Sequence, residues 1–250
     1  MKTCKTIIYD DTCPLCTWYT KQFVRVGALE QRLPFSQLTA EQLTLLDIQR
    51  ARHEIPLIDT QTGHVYYGLE ALTLLLSRVF PQAKKILQSQ WVRVWFGPLY
   101  QFVSYNRRII VPPAATCKGF NAAPDFHAGW RLRLIAFFLL ITAGIHHWVA
   151  QWLLNHHLLT LDGLTLYRWS FWLTVLITSL AILKRSVQQS LDGLAQVMFS
   201  LALSSLVMMV LLVIVLIFNG LNTTIEVVLL LTWIIIFWKI VRQRLNSLSK

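Results

Sequence analysis

A helix needs about 20 consecutive apolar residues to cross the hydrocarbon core of a bilayer, and from residue 132 onward this chain supplies one run of that kind after another. Residues 1–131 carry ordinary polar punctuation. With 55% hydrophobic residues among 250, the whole is too apolar for one soluble domain, and the unevenness divides it. The expected organisation is a soluble domain over 1–108, a linker over 109–131 and an all-α transmembrane domain over 132–250. Four spans are expected, over residues 132–154, 164–183, 194–218 and 225–241.

The formal net charge of +11 would suit a nucleic-acid binder, but its distribution argues otherwise. Basic residues gather beside the apolar runs, where they set membrane topology. Lys118, Arg131 and Arg133 stand before the first run, with Arg107 and Arg108 slightly further away, and the loop after it offers only Arg168. Lys184 and Arg185 follow the second run, and Lys239, Arg242 and Arg244 close the last. This alternation places both termini on the cytoplasmic side of a multi-pass membrane protein. The start, Met1-Lys2-Thr3-Cys4, leads into a short strand and not into the apolar region of a signal peptide. Membrane lipid is an expected partner; nucleic acid is not.

Within the soluble part, Cys13-Pro14-Leu15-Cys16 stands where a strand gives way to a helix. Thr6-Ile7-Ile8-Tyr9 is β-branched and aromatic, as a buried strand requires. Pro14 suits the first helical turn, where its missing N–H is one of the donors left unpaired anyway. Cys13 then sits at the helix N-terminus, where backbone N–H groups and the helix dipole favour thiolate over thiol. Cys16 lies one turn further on. The spacing is that of a redox dithiol.

The helix runs to Gly27, and a second strand is expected over 32–36. Thr39 caps a helix over 40–52 with Leu43, Leu45 and Leu46 near one face. Strands at 55–59 and 64–67 flank Thr60-Gln61-Thr62-Gly63 as a hairpin. A helix over 69–80 follows, packing through Leu72, Leu75, Leu76 and Val79. The order β-α-β-α-β-β-α describes a small sheet with helices on its faces. Residues 82–108 are basic and aromatic, with Lys84, Lys85, Arg93, Trp91, Trp95 and Phe96. They suit a helix that contributes aromatics to the core and lays its basic side on a membrane surface.

Residues 5–108 resemble the DCC family of thiol–disulfide oxidoreductase-like proteins, which carry D-x-x-C-x-x-C near the N-terminus. Asp10, Cys13 and Cys16 match the named positions, and 65–72 and Tyr105-Asn106-Arg107-Arg108 are similar to later family segments. Relatives commonly have Gly and Asp where this chain has Asp11 and Thr12. The resemblance implies an α/β thioredoxin-like fold and redox chemistry. Its partners would be a disulfide-containing protein or small molecule and an electron donor.

On this reading Cys13 is the more exposed, attacking thiolate and Cys16 the buried, resolving thiol. Asp10 is either a proton acceptor for Cys16 or a helix cap. Pro56 either begins a strand in the ordinary way or forms a cis peptide bond beside the dithiol. A zinc site would need four ligands, and one C-x-x-C with Cys4, His53 or His64 makes a poor set; no metal or cofactor is expected. Cys4 and Cys117 read as ordinary free cysteines. The spans hold no cysteine, so a transmembrane dithiol relay cannot run on this chain alone. His146, His147, His156 and His157 are the redox-relevant residues of the membrane half. Two alternatives stand beside the oxidoreductase reading: a non-catalytic thioredoxin-like module for a membrane partner, and a quinone- or haem-linked electron-transfer protein.

Overall fold

The structure, a computed structural model, describes residues 5–113, 122–155, 161–182, 186–218 and 223–248. Cys4, Cys117, His156, His157, Lys184 and Arg185 lie outside the described residues. The chain divides into two units, Met1–His127 and Ala128–Lys250.

The first unit is built on a four-stranded mixed sheet in the order β2-β1-β3-β4, with β1 Lys5–Tyr9, β2 Gln31–Pro34, β3 Pro56–Asp59 and β4 Val65–Tyr67. β1 lies inside, parallel to β2 through Ile7↔Arg32 and antiparallel to β3 through Ile7↔Leu57. Successive side chains of a strand point to opposite faces, and β1 buries both. Ile7 packs with Leu29, Leu57, Ala71 and Leu75. Ile8 packs on the other side with Phe35, Leu46, Ala51, Ile58 and Tyr67. Full burial of one such isoleucine contributes about 1.5–3 kcal/mol, so β1 organises the unit and fixes where its C-terminal end delivers the dithiol loop.

Helices α1 Pro14–Arg25 and α4 Gly68–Val79 match the expected elements closely. Gly27, at φ 73°, turns the chain beyond α1, a conformation that costs glycine little. Other expectations need correction. The helix expected over 40–52 is two short ones, α2 Ala40–Thr44 and α3 Ile48–His53. Asp47 interrupts it by accepting the Arg50 N–H at 3.0 Å and capping a new start. Leu46 alone of the three leucines is buried. The second strand ends at Pro34, and Phe35–Gln37 form a 3-10 turn that drops Phe35 into the core. In α4 the core contacts come from Ala71 and Leu75, while Leu72, Leu76 and Val79 are half-buried.

Beyond the short α5 Lys84–Leu87, the long α6 Gln90–Ile110 closes the unit. Its last turns are buried at Ser104, Asn106, Arg107 and Ile109, while Trp91, Val94 and Trp95 are exposed near its start. The Ser104 hydroxyl donates to the His53 carbonyl, and Arg107 Nη1 donates to the Arg52 carbonyl at 3.2 Å. These bonds tie α6 to α3. Residues 122–127 join the same unit: Asp125 meets Arg52 at 3.0 Å and His53 at 3.1 Å.

The second unit consists of α7 Ala128–Asn155, α8 Leu161–Ile182, α9 Val187–Phe218 and α10 Thr223–Leu248. Among the described residues, two segments are long and apolar enough to cross a membrane: Ala128–Asn155, mean hydropathy 1.6, and Val187–Ile214, mean hydropathy 2.7. Phe171–Leu180 is a shorter apolar stretch. The unit is held by Val197, Met198, Leu201, Phe237 and Val241 and by an Arg131–Asp192 ion pair at 2.7 Å. Ser200, Ser204 and Ser205 are buried on α9, where small side chains permit close helix approach. His146 Nε2 lies 3.0 Å from Ser205 Oγ.

Candidate dithiol site

The site forms where β1 ends and α1 begins. Asp10 leaves the strand, its Oδ1 accepting the Thr12 N–H at 3.1 Å and the Thr12 hydroxyl at 2.6 Å. The Cys13 N–H donates to the Asp10 carbonyl at 3.1 Å. This tight loop presents Cys13 as the N-cap of α1, with Pro14 in the first turn. The Cys13 sulfur accepts the Cys16 backbone N–H at 3.3 Å, doing what a serine or aspartate oxygen does at other helix starts. Cys13 and Cys16 are both free thiols.

Their electrostatics differ sharply. Donation from the Cys16 thiol, aided by the Cys16 backbone N–H and the Arg107 charge, lowers Cys13 to about 7 against the opposing effect of burial. Cys16 is driven far upward because its proton is held by Cys13 and because it is buried. One thiolate and one thiol therefore coexist near neutrality.

Cys13, expected to be the exposed sulfur, is 0% exposed, and Cys16 is 4% exposed. The capping bond explains the difference: it turns Cys13 Sγ inward over the helix end instead of outward to solvent. Asp10 does not cap α1, since Cys13 does; its carboxylate caps the loop and meets two guanidinium groups. Arg107 Nη2 and Arg108 Nη2 lie 3.3 and 3.1 Å from Asp10 Oδ2, and Arg108 also donates to Thr12 Oγ1 at 2.7 Å. Burial alone would raise the Asp10 carboxyl. The Thr12 hydroxyl and the charges of Arg108 and Arg107 outweigh it and hold the group below its usual value. So firmly ionised a carboxylate is a poor proton acceptor for a thiol.

Pro56 opens β3 opposite Tyr67. Its peptide bond is trans, as are all those described, which corrects the cis alternative. The Ile55 carbonyl accepts the Gly68 N–H at 3.0 Å, so the chain enters the ladder directly and Pro56 takes the strand-start position that tolerates proline. Pro56 nonetheless reaches the site: with Cys16, Asp10 and Arg107 it lines a cavity of about 400 Å³. Tyr19, Phe23, Phe35, Leu72, Phe96 and Leu99 form much of its apolar wall. Tyr100 is at its edge, its oxygen accepting the Ile55 N–H at 3.0 Å and its hydroxyl pushed up to about 12 by burial.

The candidate zinc ligands are elsewhere. His53 meets Asp125 and stacks on Tyr105 at 4.8 Å, and His64 packs on Tyr66 at 4.4 Å. Among the described residues no group of three or more His, Cys, Asp or Glu side chains is arranged to hold a metal ion.

Residues 7–111 match the model of the DCC1-like thiol-disulfide oxidoreductase family. The chain is similar to that family over this segment, which carries the sheet and the dithiol. No curated protein and no solved structure matches the chain. The small mixed sheet with its helices fits the thioredoxin-like domain expected of a DCC1-like protein, and the family carries thiol–disulfide redox function. The matched segment ends just past Arg107 and Arg108, the site residues that sequence reasoning missed. Their signal was the Tyr105-Asn106-Arg107-Arg108 similarity, read only as a family segment and as charge near the membrane.

Proposed function

We propose that this protein is a membrane-anchored thiol–disulfide oxidoreductase whose Cys13–Cys16 dithiol reduces or exchanges disulfides. The observation that carries the reading is Cys13 Sγ at the cap of α1, 3.3 Å from the Cys16 N–H and lowered to about 7. Cys13 is the attacking thiolate. It forms a bond to one sulfur of the substrate disulfide, whose S–S bond breaks, and the departing sulfur takes up a proton. Cys16 then loses its proton and attacks Cys13 Sγ. The second substrate thiol leaves, and a Cys13–Cys16 disulfide remains. The substrate gains the two electrons that the dithiol loses, and a donor dithiol restores the reduced state.

Asp10 is a positioning residue that holds Arg107 beside the two sulfurs, and Pro56 shapes the wall against which a substrate rests. The C-terminal unit anchors the domain, through four spans with both termini cytoplasmic; the two long apolar helices support the anchoring, and the Lys/Arg alternation along the sequence is the ground for the topology. The exposed start of α6 lies on the membrane surface. Trp91 and Trp95 at 74% and 68% exposure, with Lys84, Lys85 and Arg93 nearby in sequence, support that placement.

Complete burial of Cys13 favours a second reading, a non-catalytic thioredoxin-like module that docks a membrane partner. The variants Cys13→Ser and Cys16→Ser separate the two. In an oxidoreductase, Cys16→Ser accumulates a mixed disulfide on Cys13 with hydroxyethyl disulfide, and Cys13→Ser forms none. Absence of any mixed disulfide in Cys16→Ser, in protein that still folds, rules out the catalytic reading.

A further inference from the structure

The cavity at the dithiol is chemically one-sided. Its charged lining groups, Asp10 and Arg107, neutralise one another at 3.3 Å, and Arg107 also donates to the Ala122 and Arg52 carbonyls. Arg108 is drawn onto the same carboxylate. A charged substrate entering here would lose hydration without finding a free counter-charge, which is costly in a buried site. The remaining wall is aromatic and aliphatic, from Tyr19 and Phe23 on α1, through Leu72 on α4, to Phe96 and Leu99 on α6. A volume of about 400 Å³ falls within the ordinary range for small-molecule sites.

The location of the mouth adds a second observation. Phe96 and Leu99 both line the cavity and are 53% exposed, so the apolar wall continues onto the outside of α6. Trp91 and Trp95 precede Leu99 by eight and four residues, and residues that far apart share a helix face. From Ala71 to Pro124 the chain contains no acidic residue while it carries Lys84, Lys85 and Arg93, so this surface does not repel an anionic lipid interface. A cavity that opens beside such a face is reached by molecules that partition into lipid.

We infer that the cavity bounded by α1, α4 and α6 is the substrate site and that it selects apolar small-molecule disulfides over hydrophilic ones. This rests on the thiol–disulfide chemistry proposed above and adds the substrate class. The apolar substituent lies against Phe23, Leu72 and Leu99, and the disulfide reaches the dithiol past Cys16. Exchange proceeds as already written: the substrate S–S bond breaks, the Cys13–Cys16 bond forms, and the Cys16 proton and one proton from solvent end on the two product thiols.

The test uses the full reduced protein in detergent and a single-turnover rate with hydroxyethyl, dipropyl and dibutyl disulfides. Each rate is divided by that of dithiothreitol, which corrects for the intrinsic reactivity of the disulfide, and the protein and its variants are compared in the same detergent, so that partitioning of the probe is common to them. The expected ratio rises about threefold to fourfold for each methylene that enters the cavity. Leu99→Glu, at a half-exposed position on the mouth, removes this rise. Leu45→Glu, on an equally exposed leucine outside the cavity, keeps it. A ratio that does not change with chain length overturns the apolar selection while leaving the thiol chemistry intact. Failure to react with any probe, hydroxyethyl disulfide included, overturns the chemistry and this inference with it.

Discussion

Arg107 Nη2 lies 3.3 Å from Asp10 Oδ2, joining the last full turns of α6 to the loop that carries the dithiol. The same guanidinium donates to the Ala122 carbonyl at 2.6 Å. One side chain therefore closes the site from behind, and the acidity of Cys13 depends on a residue almost a hundred positions away in the chain.

Replacing Asp10 with Asn should destabilise the first unit by about 3 kcal/mol, because two buried or half-buried guanidinium groups lose their anion. The same change should move Cys13 below about 7, since the Asp10 charge raises it. Denaturant titration reads the first effect and thiolate absorbance against pH the second. An unchanged thiolate titration would remove Asp10 from the electrostatics of the site.

Acid stability follows from the sign of the Asp10 shift. Its folded value is depressed below 3.8, so its contribution is fully present above the unfolded value and is lost as pH falls through the folded one. Stability of the native protein should drop below about pH 4, and Asp10→Asn should show a shallower drop. Thermal unfolding between pH 5 and pH 2, on both proteins, gives the comparison.

Cys13 should be alkylated by iodoacetamide with a rate that inflects near pH 7, while Cys16 stays unreactive through pH 9. Because Cys13 is fully buried, the absolute rate should be at least tenfold below that of a free thiol of equal acidity, and unfolding should abolish the protection. The depressed value also makes reduced protein more stable as pH rises from about 7 toward 9, and Cys13→Ser flattens that rise. Mass spectrometry of the labelled peptides resolves the two sulfurs.

Gly68 adopts φ +58°, and a Cβ there would meet the Glu54 side chain at 3.1 Å. Gly68→Ala should cost about 1–2 kcal/mol from the left-handed backbone alone. The position starts α4 and receives the bond that anchors Ile55 beside Pro56. Calorimetry of the purified protein measures the loss, and an unchanged melting temperature would show that the backbone relaxes freely there.

The two apolar helices of 28 residues each should hold the chain in membranes against alkaline carbonate and high salt and release it only to detergent. Release by salt alone would mean that these helices are buried in protein and not in lipid.

Much of the architecture was legible residue by residue. The β-branched run of β1, the Cys-Pro start of α1, the glycine stop at Gly27 and the hairpin before Gly68 are each set by hydrogen bonds and torsional preferences within a few residues. So are the apolar helices, whose length and composition are properties of the chain itself. The break at Asp47 was misread because its carboxylate can either ride in a helix or cap a new one, and burial of Leu46 and Ala51 decided between them.

Tertiary structure alone decided the chemistry around the dithiol. The pairing of Arg107 and Arg108 with Asp10 and the cavity between α1, α4 and α6 both need α6 folded back against α3 and α4. Charge effects and exclusion of water act across space, between groups that the chain order keeps far apart, so no local pattern encodes them. A basic pair that reads as membrane topology in one dimension becomes, in three, the counter-charge behind a buried thiolate.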